Sequence, residues 1–211
     1  LDVTFALDRA GLVGEDGPTH SGNYDIAYLR CIPNIILMTP SDENETRLLL
    51  TTAFKHEGPA AVRYPRGTGP NTSVDSNLKC LEIGKARVVR ESASKVVFLN
   101  FGALLDKAIE VSEKMDFTLI DMRFVKPLDH EILKKYLSKS EYFVSLEDGS
   151  IAGGAGSAVQ EFCSIESINV KSILLGIPDR FIEHASREEM LESAGLSVTK
   201  ILDRLKPLLE K

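Results

Sequence analysis

Long apolar runs are missing from this 211-residue chain. None approaches the roughly 20 residues that a helix needs to cross a bilayer, which excludes a membrane-spanning helix. Excess basic charge is missing too. Lys and Arg number 25 against 31 Asp and Glu, for a net charge of −6. A general nucleic-acid or anionic-membrane binder needs a basic surface, so neither partner is expected. A local basic cluster can still hold one phosphate. Cysteine is scarce: Cys31, Cys80 and Cys163 are far apart and show no CxxC spacing. Neither a disulfide framework nor a zinc site is indicated, and a reducing compartment fits best. There is no P-loop, HExxH or GxSxG, no internal repeat and no low-complexity tract. His56, His130 and His184 are isolated and read as surface or structural residues.

What is present is an ordinary globular balance, 43% hydrophobic and 27% charged. The length suits one large domain or two small ones. At the start, Val3, Phe5 and Leu7 alternate and share one face of a strand. A chain seldom begins inside a core strand, so a C-terminal piece of a longer polypeptide is expected. Residues 67–79, GTGPNTSVDSNLK, are rich in turn formers and poor in apolar residues. They read as a linker, and the expected division is 1–66, a linker at 67–81, and 82–211.

In the first part, strands are expected at 3–7, 35–38 and 61–64, with a short amphipathic segment at 24–30. A helix follows Pro40, N-capped by Ser41, with Asp42, Glu43 and Glu45 in its first turn, Lys55 and His56 in its last, and Gly58 as its stop. Three strands with intervening helices suggest part of a parallel sheet. In the second part, strands at 86–90 and 95–100 flank the polar turn 91–94, which suggests an antiparallel hairpin. Helices at 104–114, 129–137 and 154–162 then alternate with strands at 118–121, 142–146 and 171–175. Asp129 is the expected N-cap of the second of these helices. Helices at 187–194 and 197–209 close the chain. The fold class is α/β: a parallel-sheet unit, then a small α/β domain with a mostly parallel sheet and helices on both faces.

Three stretches carry chemistry. The loop from Asp8 to His20 lies just past a strand end, where open α/β sheets bind ligands. Its arginine, carboxylates and imidazole are what a site needs to hold an anion, grip a hydroxyl and pass a proton. A solvated loop with an incidental histidine is the plainer reading. The second stretch, RYPRG at 63–67, offers two arginines at another strand end, and a guanidinium fork suits phosphate. A surface charge is its plainer reading. The third, EDGSIAGGAGSAV at 147–159, joins a strand to a helix but departs from GxGxxG, with Val159 in the third position. Close helix–sheet packing is preferred there, with anion binding a minor alternative. The two Glu-Asp-Gly triplets, at 15–17 and 147–149, are not read as metal sites.

Taken together, DRAGLVGEDGPTHSG, YLRCIPNIILMTPSDENE, GPAAVRYPRG, MRFVKPLD, EDGSIAGGAGSAV and LGIPDRFIEHAS resemble the C-terminal third of the 1-deoxy-D-xylulose-5-phosphate synthase family, a branch of the transketolase-like thiamine diphosphate enzymes. The resemblance spans essentially the whole chain. It implies that residues 1–66 are the later half of a pyrimidine-binding domain and residues 82–211 a mixed-sheet transketolase C-terminal domain. It also implies a dimeric, cytoplasmic or plastid enzyme that joins pyruvate to glyceraldehyde 3-phosphate with loss of carbon dioxide. The cofactors would be thiamine diphosphate and Mg²⁺, held mainly by residues outside this chain. Carried over by motif, His20 is the catalytic donor near the donor carbonyl, Asp16 holds the acceptor hydroxyl, and Arg9 and Arg66 clamp the acceptor phosphate. Tyr28 and Arg63 are expected to be structural. The alternatives are a transketolase, a 2-oxo acid dehydrogenase beta subunit, or a non-catalytic dimerisation module.

Overall fold

The computed structural model describes residues 1–208. The first unit contains β1 (Thr4–Leu7), α1 (Asp25–Leu29), β2 (Ile36–Met38), α2 (Glu43–Lys55) and β3 (Ala60–Arg63). The second contains β4 (Arg87–Arg90), β5 (Val96–Phe101), α3 (Leu105–Met115), β6 (Thr118–Asp121), β7 (Phe124–Lys126), α4 (His130–Leu137), β8 (Tyr142–Ser150), α5 (Ala155–Ile165), β9 (Lys171–Ile177), α6 (Arg187–Ala194) and α7 (Val198–Leu205). The strand orders are β1-β3-β2-β7 and β4-β6-β5-β8-β9.

β1 and β2 run parallel to β3, with Leu7 opposite Arg63 and Met38 opposite Val62. The C-terminal ends of β1 and β3 therefore lie side by side. Everything that follows these strands is delivered to one edge of the sheet. The fourth strand, β7, comes from the second unit and pairs antiparallel to β2, Phe124 opposite Met38. Its Phe124 joins Ile36, Met38, Leu49, Ala53 and Val62 in the core under α2.

β5 shows how alternation builds the rest. It is buried throughout and lies between the parallel strands β6 and β8. Val96 and Phe98 point into a core with α3, α6 and α7. Val97, Leu99 and Phe101 point the other way, into a core with α4 and α5 that also takes Ile26, Leu37 and Ala61 of the first unit. One hydrophobic core is thus shared by both units.

Several elements differ from expectation. Asp42, not Ser41, caps α2: its side chain accepts from the Glu45 N–H at 2.8 Å. The Ser41 hydroxyl instead donates to buried Asp121 at 2.8 Å. No β4–β5 hairpin forms. β4 pairs antiparallel with β6, because Ser92 is tied to Thr118 and Asp116 and turns the chain away. β1 is an edge strand whose Phe5 is 45% exposed, and Val3 just before it is 37% exposed, so within the described residues it is no core strand. The last helix ends at Leu205 and continues as a 3₁₀ turn, Lys206–Leu208; Leu209 lies outside the described residues. Asp129 caps α4 as expected, accepting from the Ile132 N–H at 3.0 Å.

The segment 67–81 has a linker's composition but is fastened along α2. Glu43 accepts from the N–H groups of Asn71 and Thr72, Asn44 from that of Asp75, and Thr52 from that of Leu81.

Candidate active site at the strand ends

The loop 8–23 leaves β1 and returns to α1. Its ends are closed by backbone bonds: Gly11 N–H to Gly22 O and Gly22 N–H to Arg9 O, both at 2.9 Å. Ala10 N–H donates to Tyr64 O at 3.0 Å, which ties the loop to the end of β3. Leu12, 1% exposed, anchors the loop in the core of the second unit. Gly11 has φ +71°, and a Cβ there would meet the Asp148 Cβ at 2.9 Å. Gly22 is equally constrained, since a Cβ would come within 2.5 Å of Arg9 O.

The structure brings Arg9, Asp16 and Arg66 together. Arg9 Nε lies 3.4 Å from Asp16 Oδ2, and Arg66 Nη1 pairs with the same oxygen. Arg9 also pairs with Asp8 at 2.8 Å. Two guanidinium groups from the ends of β1 and β3 thus share one carboxylate oxygen, and Asp16 and Arg66 border a crevice of about 920 Å³. Asp16 and Arg66 line that crevice together with Tyr64, Thr68, Asp106 and Arg187. His20 is not brought into contact with them. It is exposed, with its Nδ1 3.1 Å from the Thr19 hydroxyl. Tyr28 is 59% exposed. Arg63 is structural in the strict sense, buried to 2%.

Arg63 sits at the centre of a network that the sequence reading missed. Its Nε donates to Asp25 Oδ2 at 2.7 Å, its Nη1 pairs with Asp148, and its Nη2 donates to Gly22 O at 3.0 Å. Burial opposes its charge, but Asp148 and Asp25 outweigh burial and hold the guanidinium above its ordinary value. Beside it, Glu147 accepts from the N–H groups of Ala155 at 2.8 Å and Gly156 at 2.9 Å. The α5 N-terminus is occupied by the chain's own Glu147 carboxyl group. The available signal was a glycine pair opening a helix with an acid a few residues upstream.

Burial pushes Glu147 up to about 7, against the pull of the Gly156 and Ala155 N–H groups and of Arg63. A carboxyl whose folded value exceeds its ordinary 4.5 binds more protons folded than unfolded. Its contribution to stability therefore falls as pH rises from about 4.5 through 7. Between pH 5 and 8 the thermal midpoint is expected to decline, and Glu147→Gln should flatten the decline. An unchanged slope in that variant would show that Glu147 is already ionised at pH 5.

A second buried cluster joins the units. Arg87 donates to Asp121 at 2.9 Å, and Arg123 holds Glu45 through two bonds of 2.8 and 2.7 Å. Burial raises the Asp121 carboxyl against the pull of Arg87. No local sequence signal marks these partners, which lie far apart in the chain. Among the described residues no group of three or more His, Cys, Asp or Glu side chains is placed to hold a metal ion, and no helix is long and apolar enough to cross a membrane.

Comparison with known proteins agrees with this architecture. Residues 1–71 match the family described as transketolase, pyrimidine binding domain, and residues 84–201 match transketolase, C-terminal domain. A protein of Stutzerimonas stutzeri named 1-deoxy-D-xylulose-5-phosphate synthase is 56% identical over 201 residues, 95% of this chain and 32% of the relative. A protein of the same name from Pseudomonas aeruginosa strain PAO1 is 51% identical over all 211 residues, 34% of its own length. The chain thus spans about a third of the curated relatives it matches. Among solved structures, a split-gene transketolase described as an inactive beta4 tetramer superposes with TM-score 0.86 at 28% identity, covering 98% of this chain and 67% of that one. Transketolase from Campylobacter jejuni shares the fold, with TM-score 0.72 at 22% identity over 99% of this chain and 31% of its own. The chain belongs to the transketolase family, with residues 1–71 matching its pyrimidine-binding domain and residues 84–201 its C-terminal domain.

Proposed function

We propose that this chain is the C-terminal part of a 1-deoxy-D-xylulose-5-phosphate synthase, which joins pyruvate to glyceraldehyde 3-phosphate with release of carbon dioxide. The enzyme acts as a homodimer in the cytoplasm. The observation that carries this reading is the convergence of Arg9 and Arg66 on one carboxylate oxygen at the shared end of β1 and β3. Guanidinium groups without a ligand settle on the nearest anion, here Asp16. A phosphate dianion offers each fork two oxygens and more charge than a carboxylate. When it takes that place, Asp16 is released to accept a hydrogen bond from the acceptor hydroxyl. His20, on the same loop, donates to the oxygen that gains charge at the pyruvate carbonyl.

Family membership implies thiamine diphosphate as the cofactor. The described residues do not fit its diphosphate and metal. They hold no cluster of metal ligands, and the N-terminus of α5 is filled by Glu147. The 211-residue chain alone is expected not to bind thiamine diphosphate and Mg²⁺ tightly. Titration calorimetry that gave low-micromolar affinity would overturn this.

The phosphate assignment has its own test in the full-length enzyme. Arg66→Ala should raise KM for glyceraldehyde 3-phosphate about ten- to a hundredfold, from the loss of charge-assisted bonds worth roughly 1.5–3 kcal/mol. KM for pyruvate, which has no phosphate, should barely move. Arg66→Lys should recover only part, because it keeps the charge without the fork. Equal shifts in both constants would remove Arg66 from the acceptor site.

A further inference from the structure

The base of the loop that carries Arg9, Asp16 and His20 packs against Asp148 of the C-terminal domain. Asp148 is 1% exposed and lies where the β8–β9 register shifts, between Leu146 and Ser150. Such irregularities turn a side chain out of the regular ladder, often beside a site. Here the turn sets Asp148 against both ends of the loop. At the outgoing end, Gly11 has no side chain and φ +71°, and any Cβ would lie 2.9 Å from the Asp148 Cβ and carbonyl oxygen. At the returning end, Arg63 pairs with Asp148 through Nη1 and holds Gly22 O through Nη2. The two ends are themselves bonded, Gly11 to Gly22 and Gly22 to Arg9. A shift of Asp148 therefore moves the whole base of the loop, and with it the Arg9 guanidinium that begins it.

We infer that Asp148 is a positioning residue for the acceptor site: through Arg63 and the Gly11 backbone it sets the place of Arg9 and Asp16 without touching substrate. This rests on the proposed function, and it gives the C-terminal domain an indirect part in acceptor binding. A second line of support is the chemistry of the contact. The Asp148 Oδ2 atom is buried with no partner within the described residues. Asp25 Oδ1, on the other carboxylate that pairs with Arg63, is buried without a partner in the same way. A side chain turned to face Arg63 with one oxygen accepts that cost to fix an orientation.

The test uses the full-length enzyme. Asp148→Asn keeps the size and removes the charge that orients Arg63. It is expected to raise KM for glyceraldehyde 3-phosphate about tenfold, while KM for pyruvate and the affinity for thiamine diphosphate change less than twofold. Gly11→Ala pushes on the same contact from the loop side and should give the same pattern. It also covers the case in which Asp148→Asn does not fold. Hydrogen exchange supplies a readout independent of turnover: the Gly11 and Gly22 amides should lose protection in both variants. A purely structural role predicts a lower thermal midpoint and fewer active molecules, with both Michaelis constants unchanged, and that result overturns the inference. If the wild-type enzyme does not condense the two substrates, the functional reading falls instead. The exchange data then decide only whether Asp148 holds the base of the loop in place.

Discussion

Replacing Arg63 with methionine is expected to lower the unfolding free energy by about 3–5 kcal/mol, several times the effect of an ordinary surface arginine. The side chain is 2% exposed, and its removal strands two carboxylates, Asp25 and Asp148, in the interior. A buried charge that loses its partner keeps the full cost of desolvation. It also frees Gly22 O, so the loop loses its returning anchor. Chemical denaturation followed by circular dichroism gives the number. Adding Asp25→Asn and Asp148→Asn to Arg63→Met should recover a large part of the loss, because no orphaned charge then remains. A loss below about 1 kcal/mol for the single variant would mean that water reaches the pair and the network is not buried in solution.

The second large effect is on rate. His20→Ala in the full-length enzyme is expected to reduce turnover on the order of 10²-fold, with cofactor affinity nearly unchanged. The contact between His20 Nδ1 and the Thr19 hydroxyl leaves Nε2 without a partner among the described residues. A ring held by one nitrogen and free at the other is suited to donate to a charge that develops only during reaction. Steady-state kinetics beside cofactor titration separates the outcomes. Unchanged turnover with collapsed cofactor affinity would make His20 a binding residue instead.

The sequence carried the alternating α/β order because each element has a local cause. β5 reads as a strand from its own apolar run, and α6 announces itself through Ser186 and Glu189, which bond reciprocally at its start. β7 was not legible. It has only three residues, Phe124, Val125 and Lys126, and its partner Met38 is set by packing between units rather than by neighbours in the chain. The same reason hid the partners of Arg63. Its motif pointed to an arginine at a strand end, but Asp25 and Asp148 stand 38 and 85 positions away. The loop residues Arg9, Asp16 and Arg66 were nameable because short motifs carry them. That His20 stands apart from them depends on the path of the loop, which no residue pattern encodes.

The crossing of β7 into the first sheet also bears on how the chain can be divided. The segment 67–81 is the obvious place for a cut, by a protease or by an engineer designing two shorter genes. A cut there would not yield two self-sufficient products. The N-terminal product would lose the strand beside β2 and the Phe124 ring from beneath α2, and would present an unpaired edge to any neighbouring strand. The C-terminal product would carry β7 with nothing to pair it, and an apolar face robbed of Ile26, Leu37 and Ala61. The two products should recover their structure only by reassociating, much as complementing fragments of a severed protein do.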